Sequence, residues 1–170
     1  MNFKKSISVF LFFLIFSTKG FSMEKSKITI KLKYGDVKIE LFDDVAPNHV
    51  KRVLELSKQG KYNGVAFHRV IDGFMAQTGD VQHGNTTNNF NPAIVGTGGS
   101  DLPDLKAEFN NIPHERGVLS MARSQSPDSA NSQFFICFDA HPHLDRQYTV
   151  FGKVISGMEF VDQIKKGSPG

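Results

Sequence analysis

Residues 67–80 read FHRVIDGFMAQTGD and set one arginine, Arg69, among Phe67, Phe74 and Met75, with the amide of Gln77 two residues beyond. A guanidinium is a permanent cation that donates hydrogen bonds and cannot act as a base. The segment offers a cation, an apolar surface and a neutral hydrogen bonder in place of a nucleophile, a metal ligand or a paired acid and base. Such a set suits a reaction that breaks no bond but desolvates and steers a polar group. Rotation about the peptide bond before a proline is of that kind. Its barrier is ~18–20 kcal/mol because the nitrogen lone pair is shared with the carbonyl. A hydrogen bond to the prolyl nitrogen localises that lone pair as the bond twists, an interaction present mainly in the transition state. Fixed dipoles in a dry site also stabilise the altered charge at the carbonyl. Arg69 is the choice for the donor.

Competing chemistries find less support. Gly96-Thr97-Gly98-Gly99 has the glycine density of a phosphate cradle, but no Gly-Lys-Ser/Thr follows and no strand–helix frame surrounds it, which argues against nucleotide binding. His141 and His143 flank Pro142 with no third ligand nearby, so neither a metal nor a cofactor is expected. No Gly-x-Ser-x-Gly elbow is present for a hydrolase, and a pairing of any hydroxyl with a histidine would be arbitrary. His68 adjoins Arg69, but strand alternation sends it to the opposite face, a structural position. Cys137 is the only cysteine, so no intrachain disulfide can form. It lies in the apolar run 134–138, where a buried, inert thiol is expected.

The elements that would position these residues follow from periodicity. Residues 28–42 predict a hairpin: Ile28, Ile30, Leu32 and Tyr34 alternate with polar residues, Gly35-Asp36 turns, and Val37, Ile39 and Leu41 alternate again. Residues 47–58 predict a helix, with Pro47 in its first turn, Val50, Val53, Leu54 and Ser57 along one face and Gly60 closing it. A shorter helix is predicted over 157–166. Apolar runs at 66–71, 117–121, 133–138 and 149–155 predict strands, and 79–105, rich in turn residues, predicts a surface loop. Many strands with two helices point to a closed antiparallel barrel or a sandwich.

Length and charge bound the reading further. The 170 residues suit one domain. The formal charge of +3 suggests a nucleic-acid binder until it is located. Residues 1–22 hold Lys4, Lys5 and Lys19 and no acid, and residues 23–170 are balanced, so no nucleic-acid partner is expected. Lys4 and Lys5 precede the apolar core 7–16, and Gly20-Phe21-Ser22 places small residues where a signal peptidase reads. Ten apolar residues fall short of the ~20 that cross a bilayer. Residues 1–22 therefore read as a cleaved signal peptide, with cleavage after Ser22. Residues 23–170 are the functional domain, periplasmic or secreted and without stable membrane association.

The segment FHRVIDGFMAQTGD, with LSMAR at 119–123, SQFFIC at 132–137 and VFGKV at 150–154, resembles the cyclophilin-type peptidyl-prolyl isomerases. The resemblance runs from about residue 28 to 167. It implies a mainly β fold, a closed eight-stranded antiparallel barrel capped by two α-helices, with a groove for a proline-containing peptide. It places the catalytic arginine at Arg69 and implies a substrate-bonding role for Gln77. Phe74, Met75, Phe135 and Leu144 would form the slot for the proline ring. Ala122, the backbone of Arg123, and Gln133 would line the groove towards the preceding residue, with His143 and Tyr148 at its edge.

Three departures carry expectations. His143 stands where many eukaryotic members have tryptophan, so cyclosporin binding should be weak. Tyr148 stands where those members have histidine, and turnover should survive. The chain stops at Gly170, where family members continue into one more strand; without it the barrel would have an unpaired seam. The expected function is isomerisation of X-Pro bonds by a monomer that assists the folding of exported proteins. The alternative is a non-catalytic holdase for proline-containing segments.

Overall fold

The structure, a computed structural model, describes residues 25–88 and 90–168. The leader, its cleavage point and Gly170 lie outside the described residues. The first alternating segment forms an antiparallel hairpin, β1 (Lys27–Leu32) and β2 (Gly35–Leu41). Its turn is Lys33-Tyr34, not Gly35-Asp36, because the register pairs Leu32 with Gly35. Gly35 has a φ of 151°, and a Cβ there would meet the Phe160 ring at 2.5 Å. Its glycine serves close packing, not the turn.

Helix α1 spans Pro47–Lys58, as the spacing predicts. The buried stripe is His49, Val50, Arg52, Val53 and Leu56, while Ser57 is exposed and Leu54 half-buried. The first N–H groups of a helix have no intrahelical partner, and Ala46 at the N-cap supplies none. Glu108 substitutes from a distant loop. Its carboxylate accepts from the backbone N–H of Asn48 and His49, from Asn48 Nδ2 at 2.7 Å and from His49 Nδ1 at 2.6 Å. A negative charge at this end also complements the helix dipole.

Five more strands follow: β3 (Arg69–Ile71), β4 (Met75–Thr78), β5 (Val118–Met121), β6 (Phe134–Cys137) and β7 (Val150–Ser156). A 3-10 turn spans Pro142–Leu144, and α2 spans Met158–Asp162. Helix α2 is shorter than the 157–166 expected, because the chain leaves it to reach β3. There Val70 and Gly167 exchange two backbone bonds, at 2.6 and 2.9 Å. Among the described residues of 79–105 there is no named strand or helix, as their turn residues predict.

The seven strands form one antiparallel sheet in the order β1-β2-β7-β5-β6-β4-β3, curled into a half-barrel. The closed eight-stranded barrel is not seen among the described residues. Past α2, among the described residues, only Gly167 is laid against Val70, and β1 and β3 are the outer strands. Two apolar clusters lie on the sheet's two faces. The larger holds Val37, Ile39, Val53, Val70, Ala76, Leu119, Phe134, Ile136 and Phe151. The smaller holds Met75, Phe135, Cys137 and Leu144, with Phe74, Ala122 and Tyr148 packed on it. Strand β6 sends Phe134 and Ile136 one way and Phe135 and Cys137 the other. A strand covered on both faces reads as a continuous apolar run.

Candidate active site

Register assembles the site. Arg69 on β3 faces Gln77 on β4, Gln77 faces Phe135 on β6, and Phe135 faces Ser120 on β5. Directly opposed residues share a face of the sheet, so these four form one row across it. Met75 and Cys137 form the adjacent row on the same face. Phe67 is not part of this group; it packs on the larger cluster. His68 is buried, with Gly96 against its ring, in keeping with a structural position.

The apolar floor consists of Met75, Phe135 and Leu144, all buried. Tyr148 stands edge-on to Phe135 with ring centroids 5.8 Å apart. Phe74 is edge-on to His141 at 4.8 Å and stacked with exposed His143 at 6.2 Å. Arg69 bounds the slot on the polar side. Its guanidinium lies 5.9 Å from the Phe74 ring centre, and its Nη1 is 4.0 Å from the Met75 sulfur. Among the described residues it forms no ion pair.

Beyond Ala122 lies a polar cavity of ≈ 520 Å³, lined among others by Gln77, Gln133, Arg123 and Asn131. Gln133 Nε2 donates to the carbonyls of Gly96 and Gly98 at 2.9 and 2.8 Å, and Gln77 Nε2 donates to Gln133 Oε1 at 2.9 Å. The Arg123 side chain folds away along the rim. It donates to the Gln147 carbonyl and lies 4.5 Å over the Tyr148 ring. Of the eleven residues singled out in the sequence, Gln77, Ala122, Arg123 and Gln133 line this cavity, and Phe74, Met75, Ala122, Phe135, Leu144 and Tyr148 belong to the smaller apolar cluster; Arg69 and His143 adjoin Phe74.

The sequence reading missed the support beneath that surface. His114 is buried under Phe135, ring on ring at 6.2 Å. Its Nδ1 bonds Asp145 Oδ1 at 2.9 Å and its Nε2 bonds Ser120 Oγ at 3.0 Å. Burial holds His114 below the ordinary histidine pKa, while bonds from the His114 backbone and side chain hold Asp145 below its own. Neutral His114 therefore donates through Nδ1 and accepts from the Ser120 hydroxyl. The Ser, His and Asp order mimics a hydrolytic triad, but Ser120 is fully buried and out of reach of a substrate. No spacing in the sequence marks this trio. Cys137 is buried as expected, and its thiol is pushed up to about 12, first by burial and then by the charge of Asp145.

A mainly β half-barrel with an arginine-edged apolar cluster on one face of its sheet defines a recognisable class. The family model for cyclophilin type peptidyl-prolyl cis-trans isomerase/CLD matches residues 27–170. A probable peptidyl-prolyl cis-trans isomerase of Brucella suis biovar 1 is 61% identical over 144 residues, covering 85% of this chain and 74% of the relative. Peptidyl-prolyl cis-trans isomerase-like 3 of Gallus gallus is 42% identical over 143 residues, 82% of this chain and 81% of its own. A Cryptosporidium parvum cyclophilin crystallised with the dipeptide Ala-Pro superposes with a TM-score of 0.71 at 34% identity, covering 82% of this chain and 84% of that one. The chain belongs to the cyclophilin-type peptidyl-prolyl cis-trans isomerases, and isomerisation of prolyl peptide bonds is its activity.

Proposed function

We propose that Arg69 and Gln77 act directly on the substrate while Phe74, Met75, Phe135 and Leu144 hold its proline ring. The observation that carries this reading is an unpaired guanidinium beside an apolar slot, in one cross-strand row with Gln77 and Phe135. A proline ring against Phe135 brings the prolyl nitrogen to the Arg69 side. The guanidinium then donates to that nitrogen as it pyramidalises. The slot excludes water, which strengthens that bond in the twisted state over the planar one. Gln77 bonds the substrate backbone, and residues before the proline run past Ala122, the backbone of Arg123, and Gln133, between His143 and Tyr148 at the rim. NMR exchange on a short prolyl peptide tests the assignment. Arg69→Ala is expected to lower kcat/KM by about 10²–10³-fold with only modest loss of affinity. An unchanged rate in that variant, while Phe135→Ala abolishes binding, overturns the catalytic role.

We further infer that residues 1–22 direct export and are removed after Ser22, leaving a periplasmic or secreted monomer that acts on unfolded exported proteins. The positive start and apolar core of the leader support this. Fractionation with N-terminal sequencing tests it: the mature chain begins at Met23, and recovery of full-length chain in the cytosol overturns it. Cyclosporin binding is weak in this reading, since His143 stands at the rim; a titration giving tight binding overturns that. The Val70–Gly167 bridge also supports closure of the sheet into an eight-stranded barrel by a strand continuing along β3. Rapid amide exchange at Gly167 would count against it.

A further inference from the structure

Asp80 is fully buried and lies outside the groove. Its Oδ1 accepts from the backbone N–H groups of Gln82 and His83 at 3.1 and 2.8 Å, and its Oδ2 from those of Gly96 and Gly98 at 2.7 and 3.1 Å. Burial alone would raise its pKa, but these four bonds outweigh burial and hold the carboxyl below the ordinary range. Four donors occupy the acceptor capacity of a carboxylate. The contact is also close. A Cβ on Gly98 would lie 2.5 Å from Asp80 Oδ1, and Gly96 adopts a φ of 97°.

The two glycines held by Asp80 through their N–H groups hold Gln133 through their carbonyls. Carbonyl oxygens only accept, so Gln133 must turn its NH₂ to them and its Oε1 to Gln77. Gln77 must then offer its own NH₂ to Gln133, at 2.9 Å. That leaves the Gln77 Oε1 as the atom available to the groove. A side-chain amide can otherwise flip between two orientations; here a chain of bonds traced back to Asp80 selects one.

We propose that Asp80 is a positioning residue for the isomerisation, fixing Gln77 through the Gly96 and Gly98 carbonyls and Gln133 so that Gln77 Oε1 accepts an N–H of the substrate backbone. The proposal rests on the reading that Gln77 bonds the substrate. Asp80→Asn keeps the shape but turns an NH₂ towards backbone donors. Gly98→Ala keeps the carboxylate but forces it off the loop. Each is expected to lower kcat/KM in the full chain by about ten- to a hundredfold through misplacement of Gln77. The loss falls mainly in kcat, with peptide affinity kept within a fewfold. In the background Gln133→Leu, which already cuts the relay, Asp80→Asn is expected to cost almost nothing more.

Prolyl-peptide exchange rates, with folding checked by circular dichroism, read these outcomes. A folded Asp80→Asn or Gly98→Ala with kcat/KM within about twofold of the parent overturns the proposal, as does an additive double variant. If neither variant folds, the unaltered chain decides. Nuclear Overhauser contacts are expected to place the Gln133 NH₂ beside Gly96 and Gly98 and the Gln77 NH₂ beside Gln133, and a flipped Gln77 amide overturns it. Gln77→Ala separates the two levels. An unchanged rate there removes the groove role of Gln77 itself. A lowered rate there with an unchanged Asp80→Asn removes only the relay.

Discussion

The ring of His114 lies flat beneath Phe135, with 6.2 Å between centroids and 17° between planes. The floor of the proline slot is therefore set by a buried histidine whose two nitrogens are both in use. Replacing His114 by Phe keeps a ring under Phe135 but removes the bonds to Asp145 and Ser120. The Ser120 hydroxyl, fully buried, then loses its partner. A loss of about 1–3 kcal/mol is expected, read as a lower urea midpoint. A midpoint equal to that of the parent would show that the bonds contribute nothing net.

Acid should weaken the fold in two stages. Burial holds His49, His68 and His114 below the ordinary value of 6.5. The unfolded chain then takes up protons that the folded chain refuses, so stability is full above about pH 6.5 and declines below it. Asp80, Glu108 and Asp145 lie below ordinary values of 3.8, 4.5 and 3.8 because hydrogen bonds to their charged forms prevail over burial. Their contribution is full above those values and is lost as pH falls through the lower folded ones. Both stages have the same sign. Thermal unfolding at pH 8, 5.5 and 3.5 is expected to give a progressively lower Tm, and a maximum near pH 5 would contradict this.

Arg69→Lys should behave like Arg69→Ala. A lysine keeps the charge but has a compact ammonium in place of the planar fork that lies against Phe74 and Met75. The expected result is a kcat/KM within about tenfold of Arg69→Ala, with an unchanged Tm because Arg69 is only half-buried. Recovery to near the parent rate would mean that charge alone suffices.

The hairpin and α1 were legible because each has a solvated face, and alternation or helical spacing survives where one side meets water. Strand β6 was not resolvable in that way. With Phe134 and Phe135 buried on opposite faces, periodicity cannot say which phenylalanine reaches the slot. Arg69 and Gln77 were found from residue types and family motifs, but their row with Phe135 depends on pairing between segments more than fifty residues apart. His114, Asp145, Glu108 and Asp80 carried no local signal, since each acts on backbone or rings brought near only by the fold. The Phe160 ring against Gly35 is likewise invisible to a reading that assigns glycine to the nearest turn.

Glu108 makes the last of these long-range dependences measurable. It caps α1 from 59 residues away and is the carboxylate partner of fully buried His49. Among the described residues His49 Nε2 has no hydrogen-bond partner, so Glu108→Ala would leave both ring nitrogens unsatisfied. The first-turn N–H groups of Asn48 and His49 would be uncapped as well. A lost cap costs about 0.5–2 kcal/mol and an orphaned buried donor about 1–3 kcal/mol. Part of that sum is recovered wherever water reaches the opened site, so about 2–3 kcal/mol is expected. For a domain of this size that lowers Tm by roughly 4–12 °C. Activity per folded molecule is expected to stay within about twofold of the parent, because α1 packs on the larger cluster and the slot lies on the sheet's other face. A Tm within a degree of the parent would mean that solvent caps α1 as well as Glu108 does.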